Sequence, residues 1–498
     1  MANHGNNDLD QVVLDRVTAA AIDRRAHNIR YRQQQLQQLH SFLRKHVDTI
    51  CKLTMQDSKY THEEAGVEFS LAANAVKTLY DQLDFDECLK KEYAISRNQS
   101  NMEARIPIGI VLIRPGSHTR LFSIISPLAA ALASGNCVIL ELPPSLRELD
   151  SFLRSELTIL DHDAFVVVSS AVTDTDTLSR CCIVDQSTTS PNTGTTLSSK
   201  PESMTAAVVD RTAKMEDAVD AVCTARFSFG GQSPYAPDLV LVNEWVRDEF
   251  VTLCLQRLSA EAARSKSETS SGRAVRQDIL TNGTAPVDVL FDSRGIKLVE
   301  LPRNTTSTDC SKVSERTLRI MTVSSLTDAV TVTSNNGPYL AFYAFGSRGV
   351  CKFLCQHIDS GLAFINGIPA SLLVGPARPV SAASPSSIEL RYEIQMMTRP
   401  RPEFVCSLTG EKFEDIALAR SAHDRTSGLR KEDAYRSLRE DALRSLRPIG
   451  QGSGSSIGFF DQGIITGMLA FALPALAMLG YGGFKTVLFC WRLYESKM

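Results

Sequence analysis

The 498-residue sequence has almost no net charge and no metal-binding cysteine spacing. Its 53 Lys and Arg residues are balanced by 56 Asp and Glu residues, for a formal net charge of −3. This balance argues against a general nucleic-acid-binding protein. None of the 12 cysteines forms a C-x-x-C pair, and no histidine cluster lies near Cys351 and Cys355. We therefore expect no metal site.

The sequence also begins without the apolar segment of a secretory signal, because Met1 to Asp10 are polar and acidic. A disulfide framework is not expected in so long a chain without such a signal. The composition is that of a folded protein with a substantial core, at 43% hydrophobic and 22% charged residues. We expect a reducing, cytosolic main body.

An uncharged run of 22 residues, Gly463 to Phe484, lies near the C-terminus. It is long enough to cross a bilayer as a helix. Asp461 precedes it, and Lys485 and Trp491 follow it, as charged and aromatic interface residues do. A buried core helix is the alternative, although soluble helices of this length usually carry polar residues. The sequence predicts a single-pass C-terminal anchor.

The orientation of this anchor is indicated by the charges before it. Eight Lys or Arg residues lie between Arg420 and Arg447, against five Asp or Glu residues. By the positive-inside rule, this excess keeps the main body in the cytosol. The membrane itself is not specified by the sequence, and the endoplasmic reticulum is favoured.

Apolar patterning predicts helices up to residue 92, followed by alternating strands and helices. IPIGIVLI at 106–113 and CVIL at 137–140 are typical of buried strands, and the apolar residues 121–135 between them indicate a helix. A strand, a helix and a second strand in succession predict a βαβ unit in a parallel sheet. The predicted fold class is therefore α/β.

Three ordered stretches resemble the aldehyde dehydrogenase superfamily. The first joins 106–116 to ISPLAAALASGNCVIL at 125–140, and the second is FGGQSPYAPDLVLVNEWVRDEFV at 229–251. The third is GPYLAFYAFG at 337–346 with SGLAFINGIP at 360–369. Their order and spacing agree with the family from residue 30 to about 400. The predicted C-terminal anchor is a further resemblance, because the membrane-bound fatty aldehyde dehydrogenase branch of the family carries one too.

The resemblance implies two parallel-sheet Rossmann-type domains and a β-hairpin through which subunits associate. Residues 93–105 are the expected counterpart of that hairpin, so homo- or hetero-oligomers are expected. The predicted organisation is N-terminal helices over 1–92, a degenerate cofactor-binding domain over 93–228, a catalytic-type domain over 229–409, a charged helix and hinge over 410–456, and the anchor over 457–498.

The family's chemistry needs a thiolate that attacks the aldehyde, from which a hydride then passes to a nicotinamide. In this sequence, Pro234 stands at the position of that cysteine, directly after Gly-Gln-Ser at 231–233. Proline has no nucleophilic side chain. The family's general base falls on Thr196, and its oxyanion-binding asparagine falls on His118. Both roles are weakened by these replacements.

The cofactor implied by the resemblance is NAD or NADP, and its expected contacts are also altered. Glu141 stands at the position of the ribose-binding lysine and reverses the charge, while Asn136 follows Gly135 as in the family. The interval from Asn136 to Lys200 is shorter than in the family, and no glycine-rich loop replaces the lost part. Asn366 matches the asparagine of the substrate pocket.

We interpret these changes as loss of the standard NAD(P)-dependent thiol mechanism. The protein would then work by binding, as a scaffold or regulatory homologue, and association with a biosynthetic pathway is compatible with this role. One alternative is an active oxidoreductase that converts apolar aldehydes to carboxylic acids. Another is a structural membrane protein that reuses the fold.

A replacement nucleophile is a further alternative. Ser233 could act with His118 as its base, although Pro234 stiffens the turn and no orienting carboxylate is evident. If His118 has no such catalytic role, we expect it to be a loop histidine that hydrogen-bonds to solvent or to the backbone.

Overall fold

A computed structural model of the chain separates into two compact units, Met1–Val405 and Cys406–Met498. The structure describes residues 2–187, 195–199, 203–264, 288–303, 311–335, 337–379, 390–405, 425–448 and 459–495.

The helices of the first unit are α1 (Ala2–Ile22), α2 (Ile29–Lys45), α3 (Val47–Ser58), α4 (His62–Asp81), α5 (Phe85–Glu92), α6 (Arg120–Ser134), α7 (Glu148–Glu156), α8 (Thr175–Arg180), α9 (Met215–Phe227), α10 (Arg247–Arg264), α11 (Leu326–Ser334), α12 (Arg348–His357) and α13 (Ala370–Leu373). The predicted N-terminal helices are present, and their apolar stripe is buried at Leu36, Leu39 and Leu43. Helix α4 begins with a capping box, in which Thr61 and Glu64 bond to each other's backbone N–H groups.

The strands are β1 (Arg105–Pro107), β2 (Ile110–Arg114), β3 (Cys137–Glu141), β4 (Phe165–Val168), β5 (Cys181–Asp185), β6 (Thr195–Ser198), β7 (Thr205–Val209), β8 (Leu239–Asn243), β9 (Asp288–Ser293), β10 (Ile296–Leu301), β11 (Thr317–Val323), β12 (Ala341–Phe345), β13 (Ala363–Ile365) and β14 (Thr398–Pro400). Five of them form a first sheet in the order β4-β3-β2-β5-β6, and every neighbouring pair in it is parallel.

The predicted βαβ unit is confirmed by β2, α6 and β3. All fifteen residues of α6 are buried, as expected for a helix that is apolar on every side. Helix α6 packs on one side against the first sheet and on another against α4 and α2. Its N-terminus therefore lies inside the unit, next to the segments described below.

A second, larger sheet has seven strands in the order β13-β12-β7-β8-β11-β10-β9. Its neighbours are parallel except β9, which runs antiparallel to β10. Strands β7, β8 and β12 each have five residues, and all five are buried in every one of them. Buried and exposed residues do not alternate, because helices cover both faces of a parallel sheet.

The sheet boundary differs from the predicted domain boundary at residue 228. The predicted domain over 93–228 includes strand β7. In the structure, β7 lies in the middle of the second sheet, between β12 and β8. The change of sheet falls between β6 and β7. Continuous apolar runs such as 206–209 predict a buried strand but do not indicate which sheet it joins.

The predicted hairpin at 93–105 is corrected by the structure. Residues Ile95–Arg97 form a short 3-10 helix, and β1 pairs antiparallel with the distant strand β14. The side chain of Arg105 reinforces this pairing, since its Nε donates to Thr398 Oγ1 at 2.8 Å. The partner of β1 comes from far along the chain, which local turn patterns do not reveal.

The second unit contains α14 (Arg425–Ala442), α15 (Phe459–Gly467), a π-helical turn over Met468–Ala472, and α16 (Leu473–Glu495). Within the predicted segment 410–456, residues 410–424 and 449–456 lie outside the described residues. The stretch Asp461–Glu495 is a 35-residue helix of mean hydropathy 1.9, long and apolar enough to cross a membrane by length and composition. It contains the predicted span 463–484.

Candidate functional site

The segment that resembles the family's nucleophile loop follows α9. Phe229, Gly230 and Gly231 all have left-handed backbone conformations, with φ of 51°, 67° and 72°. At Gly231 a Cβ atom would lie 2.7 Å from the carbonyl oxygen of Glu315. Glycine is therefore required there, because both the conformation and the close approach exclude a side chain.

Pro234 is buried in this loop, and its carbonyl oxygen is fully engaged. It accepts hydrogen bonds from Lys312 Nζ at 2.7 Å and from Thr205 Oγ1 at 3.1 Å. The hydroxyl of Ser233, 2% exposed, accepts from the N–H of Tyr235 at 3.3 Å. The polar atoms around position 234 thus stabilise the turn.

A buried ion network that the sequence reasoning missed fixes both ends of this loop. Asp238, 1% exposed, accepts from Arg226 Nη1 at 3.3 Å and Lys312 Nζ at 3.2 Å. The same carboxylate accepts from the N–H groups of Val313 at 2.9 Å and Thr205 at 2.8 Å. Burial lowers the pKa of Lys312, and the charge of Asp238 opposes that shift. A fully buried cation, Arg226, and a partly buried one, Lys312, therefore depend on one carboxylate.

His118 lies in the loop before α6, where the resemblance places an oxyanion-binding side chain. Its Nε2 donates to the carbonyl oxygen of Leu373 at 3.0 Å, and its Nδ1 is buried without a hydrogen-bond partner. Burial lowers the pKa of His118 to about 4, so the ring is neutral at physiological pH. No hydrogen bond joins His118 to Ser233, since each bonds a different group.

An aromatic side chain occupies the space beside His118. The ring of Phe229 is 5% exposed and lies edge-on to Tyr60 at 5.4 Å and to His118 at 6.3 Å between centroids. The N–H of Phe229 donates to Glu64 Oε1 at 2.7 Å. Helix α4, the loop and the start of α6 are thereby packed together around one ring.

A buried carboxyl, Glu68, lies at the N-terminus of α6 and was also missed by the sequence reasoning. Its Oε1 accepts from the N–H of Phe122 at 3.2 Å, and its Oε2 is buried without a hydrogen-bond partner. Burial raises the pKa of Glu68 to about 7, and the bonds from the helix N-terminus oppose that rise. No motif marks this residue, because Glu68 follows the ordinary pattern of a helix.

We expect Glu68→Gln to stabilise the protein near pH 8 by about 1–3 kcal/mol and to have little effect near pH 5. The pKa of Glu68 is about 7 in the folded state, against an ordinary value of 4.5. The folded state therefore binds more protons between these values, and stability falls as pH rises through them. Urea unfolding of the detergent-solubilised full chain at both pH values measures this difference. Exposed Glu92→Gln is the control, and an unchanged pH slope in Glu68→Gln would contradict the assignment.

Glu141 ends β3 and forms a buried ion pair. Its Oε2 accepts from Arg114 Nε at 3.0 Å, and its Oε1 accepts from the N–H of Val172 at 3.0 Å. Arg114 also donates to the carbonyl oxygen of Val172 at 3.0 Å. Both carboxylate oxygens are thus used to hold the loop after β4 against the ends of β2 and β3.

Asn136 also has a structural role. Its Oδ1 accepts from the N–H of Gly109 at 2.8 Å, and its Nδ2 donates to Ser134 Oγ at 2.7 Å and to the carbonyl oxygen of Met397 at 2.9 Å. These bonds tie the start of β3 to the segment before β14. Thr196 lies on the edge strand β6, opposite Ile183 of β5.

Asn366, the predicted substrate-pocket residue, is exposed and has a left-handed backbone with φ of 54°. Its side-chain amide accepts from the N–H of Gly346 at 2.8 Å and donates to the carbonyl oxygen of Gly346 at 3.0 Å. The amide therefore continues the pairing of β12 and β13 by one step.

The first sheet does not fit a nicotinamide dinucleotide. Only the nine residues 186–194 separate β5 from β6, and parallel strands joined by a helix need a dozen or more. At the end of β3, Glu141 pairs with Arg114 and places a carboxylate where the resemblance calls for the ribose-binding lysine.

The fold is similar to those of solved structures. Staphylococcus aureus AldH in a substrate-bound state has a TM-score of 0.62 at 16% identity, over 86% of this chain and 99% of that one. GapN of Methanocaldococcus jannaschii, a glyceraldehyde-3-phosphate dehydrogenase complexed with NADP, has a TM-score of 0.58 at 13% identity, over 80% and 94%. The two-sheet architecture is thus the aldehyde dehydrogenase fold.

Sequence comparisons agree with this fold. The sequence model of the aldehyde dehydrogenase family matches residues 2–156. The 4,4'-diaponeurosporen-aldehyde dehydrogenase of Staphylococcus aureus is 23% identical over 394 residues, 71% of this chain and 83% of the relative. Aldehyde dehydrogenase family 3 member B1 of Bos taurus is 29% identical over 170 residues, 33% of this chain and 36% of the relative. Together these findings support membership of the aldehyde dehydrogenase superfamily.

Proposed function

We propose that this protein is a membrane-anchored aldehyde dehydrogenase homologue that does not use the family's NAD(P)-dependent cysteine mechanism and acts by binding. The observation that carries the proposal is Pro234 at the nucleophile position, in a buried loop. Aldehyde oxidation of this kind begins with a thiolate, and Pro234 offers only a carbonyl that Lys312 and Thr205 already bond. Phe229 fills the space beside His118, where a substrate carbonyl would need to lie.

The cofactor side supports the same proposal. The ion pair of Glu141 with Arg114 and the nine-residue connection from β5 to β6 both oppose a bound dinucleotide. The neutral imidazole of His118 is committed to a backbone carbonyl, so it is not free to stabilise a negative oxygen.

The helix Asp461–Glu495 serves in this proposal as a single-pass anchor, with the main body in the cytosol and the endoplasmic reticulum as the favoured membrane. Aldehyde dehydrogenases are typically oligomeric, and we propose homo- or hetero-oligomers here. The face beside β1 and β14 supports this, because Tyr93, Met102 and Phe404 are 49%, 59% and 65% exposed there. An active relative is a natural partner for a scaffold or regulatory homologue.

A second candidate is an active oxidoreductase for apolar aldehydes. It is favoured by the relative named for 4,4'-diaponeurosporen-aldehyde, of which this chain covers 83%. In either case, we propose association with a biosynthetic pathway that handles apolar aldehydes near a membrane, which the candidate anchor and this relative support.

We expect no saturable binding of NAD or NADP to the detergent-solubilised full chain up to about 1 mM by calorimetry, which corresponds to about −4 kcal/mol. Pro234→Cys should supply a thiol without producing NADH from an aldehyde, because the dinucleotide site is altered as well. Pro234→Ala is the matched control, since it removes the ring without adding sulfur. Micromolar cofactor binding together with NADH production by the unmodified protein would favour the oxidoreductase instead. NADH production by Pro234→Cys alone would show an intact cofactor site in a protein that lacks only its nucleophile.

A further inference from the structure

A polar cavity of about 340 Å³ lies on the outer side of the loop that carries Phe229. It is enclosed by the turn before α4, the last turn of α9, and α10. Three cationic side chains line it, Lys59, Arg257 and Arg316, together with one carboxylate, Glu64. The cavity is therefore rich in positive charge.

The single lining carboxylate is already engaged. Glu64 Oε2 accepts from the N–H of Thr61 at 2.9 Å, and Glu64 Oε1 accepts from the N–H of Phe229 at 2.7 Å. Arg257 approaches Asp220 at 3.3 Å, but their side chains are 45% and 65% exposed, so this pair is weak. Lys59 forms no ion pair with any described residue. The positive charges of Lys59 and Arg257 are therefore available to a ligand.

Hydroxyl groups complete the lining. Thr224 and Ser228 contribute side chains from the end of α9 and the start of the loop, and Thr61 contributes one from the turn before α4. Hydroxyls and a lysine ammonium donate single hydrogen bonds, whereas arginine can donate a pair to adjacent oxygens. A compact anion with several acceptor oxygens matches this donor set best.

We propose that this cavity binds a phosphate-bearing ligand, either a soluble phosphate monoester or the headgroup of an anionic lipid. The proposal goes beyond the function proposed above and does not depend on it. Because Ser228 and Gly230 line the cavity, an occupant would also hold the loop on which Phe229 is carried.

The test is calorimetry on the detergent-solubilised full chain at constant ionic strength. Inorganic phosphate is titrated in one arm, and dihexanoyl phosphatidic acid in the other with dihexanoyl phosphatidylcholine as its blank. We expect saturable binding with a Kd at or below about 1 mM in at least one arm. The arm with the lower Kd identifies the source of the phosphate.

Two variants locate the site. Lys59→Gln with Arg257→Gln should weaken binding about tenfold or more, since hydrogen bonds to charged groups are lost. Lys77→Gln, an exposed lysine of α4 outside the cavity, should leave the Kd within about twofold. Lys59 is exposed, so the single variant Lys59→Gln should still fold. It should weaken binding by less than the double variant does. No saturable binding in either arm, or equal losses in the cavity and Lys77 variants, would overturn the proposal.

Discussion

Asp238→Ala is expected to lower the free energy of unfolding by about 3–5 kcal/mol, the cost of leaving buried charge without its partner. The substitution deprives Arg226 and Lys312 of their shared carboxylate, and Arg226 is fully buried. It also removes the acceptor for the N–H groups of Val313 and Thr205. Urea unfolding of the detergent-solubilised full chain, followed by tryptophan fluorescence, measures the loss.

Asp248→Ala is the control for this experiment, because that carboxylate is 91% exposed in its pair with Arg247. It should change stability by no more than about 0.5 kcal/mol. Asp238→Asn should fall between the two, since it keeps an acceptor oxygen and loses the charge. Equal small losses for Asp238→Ala and Asp248→Ala would show that the network contributes little.

Phe229→Ala is expected to cost about 3–5 kcal/mol, the range for truncating a buried aromatic side chain. The ring packs against Tyr60 and His118, so its removal opens a cavity between α4 and the start of α6. Water entering that cavity should raise the pKa of His118 from about 4 towards its ordinary value of 6.5. An NMR titration of labelled histidines follows this change separately from the loss of stability.

Tyr435→Ala is the matched control, because that ring is 61% exposed and lies in α14. It should alter stability by about 0.5 kcal/mol or less and leave His118 unchanged. If Phe229→Ala behaved in the same way, the ring would not be the element that fills this region.

The parts of the fold that depend on local pattern were predictable from the sequence. The buried strands β2 and β3, the apolar helix α6 between them and the long C-terminal helix each carry their own periodicity or composition. The resemblance then supplied the two-sheet fold, which the solved structures share. The strand pairings of β1 and β7 differ from those expected of a hairpin at 93–105 and a boundary at residue 228, because strand partners are set by tertiary contacts.

The candidate site was less predictable, since its decisive contacts join residues far apart in the chain. Arg226 donates to the carbonyl oxygen of Val313, 87 residues later, and Phe229 bonds Glu64, 165 residues earlier. The family resemblance pointed to Pro234, His118 and Glu141, but not to the groups that engage them. Their proposed roles remain predictions that the experiments above address.

The pairing of β1 with β14 bears on how the chain folds during synthesis. Arg105 bonds Thr398, 293 residues later, so the first strand of the unit receives its partner only after those residues have been synthesised. Contacts of such long range slow folding. Residues 2–156, which match the family model, therefore contain β1 without its partner strand. A chain that stops before Thr398 would expose β1 as an open edge, and open edges are sites of aggregation.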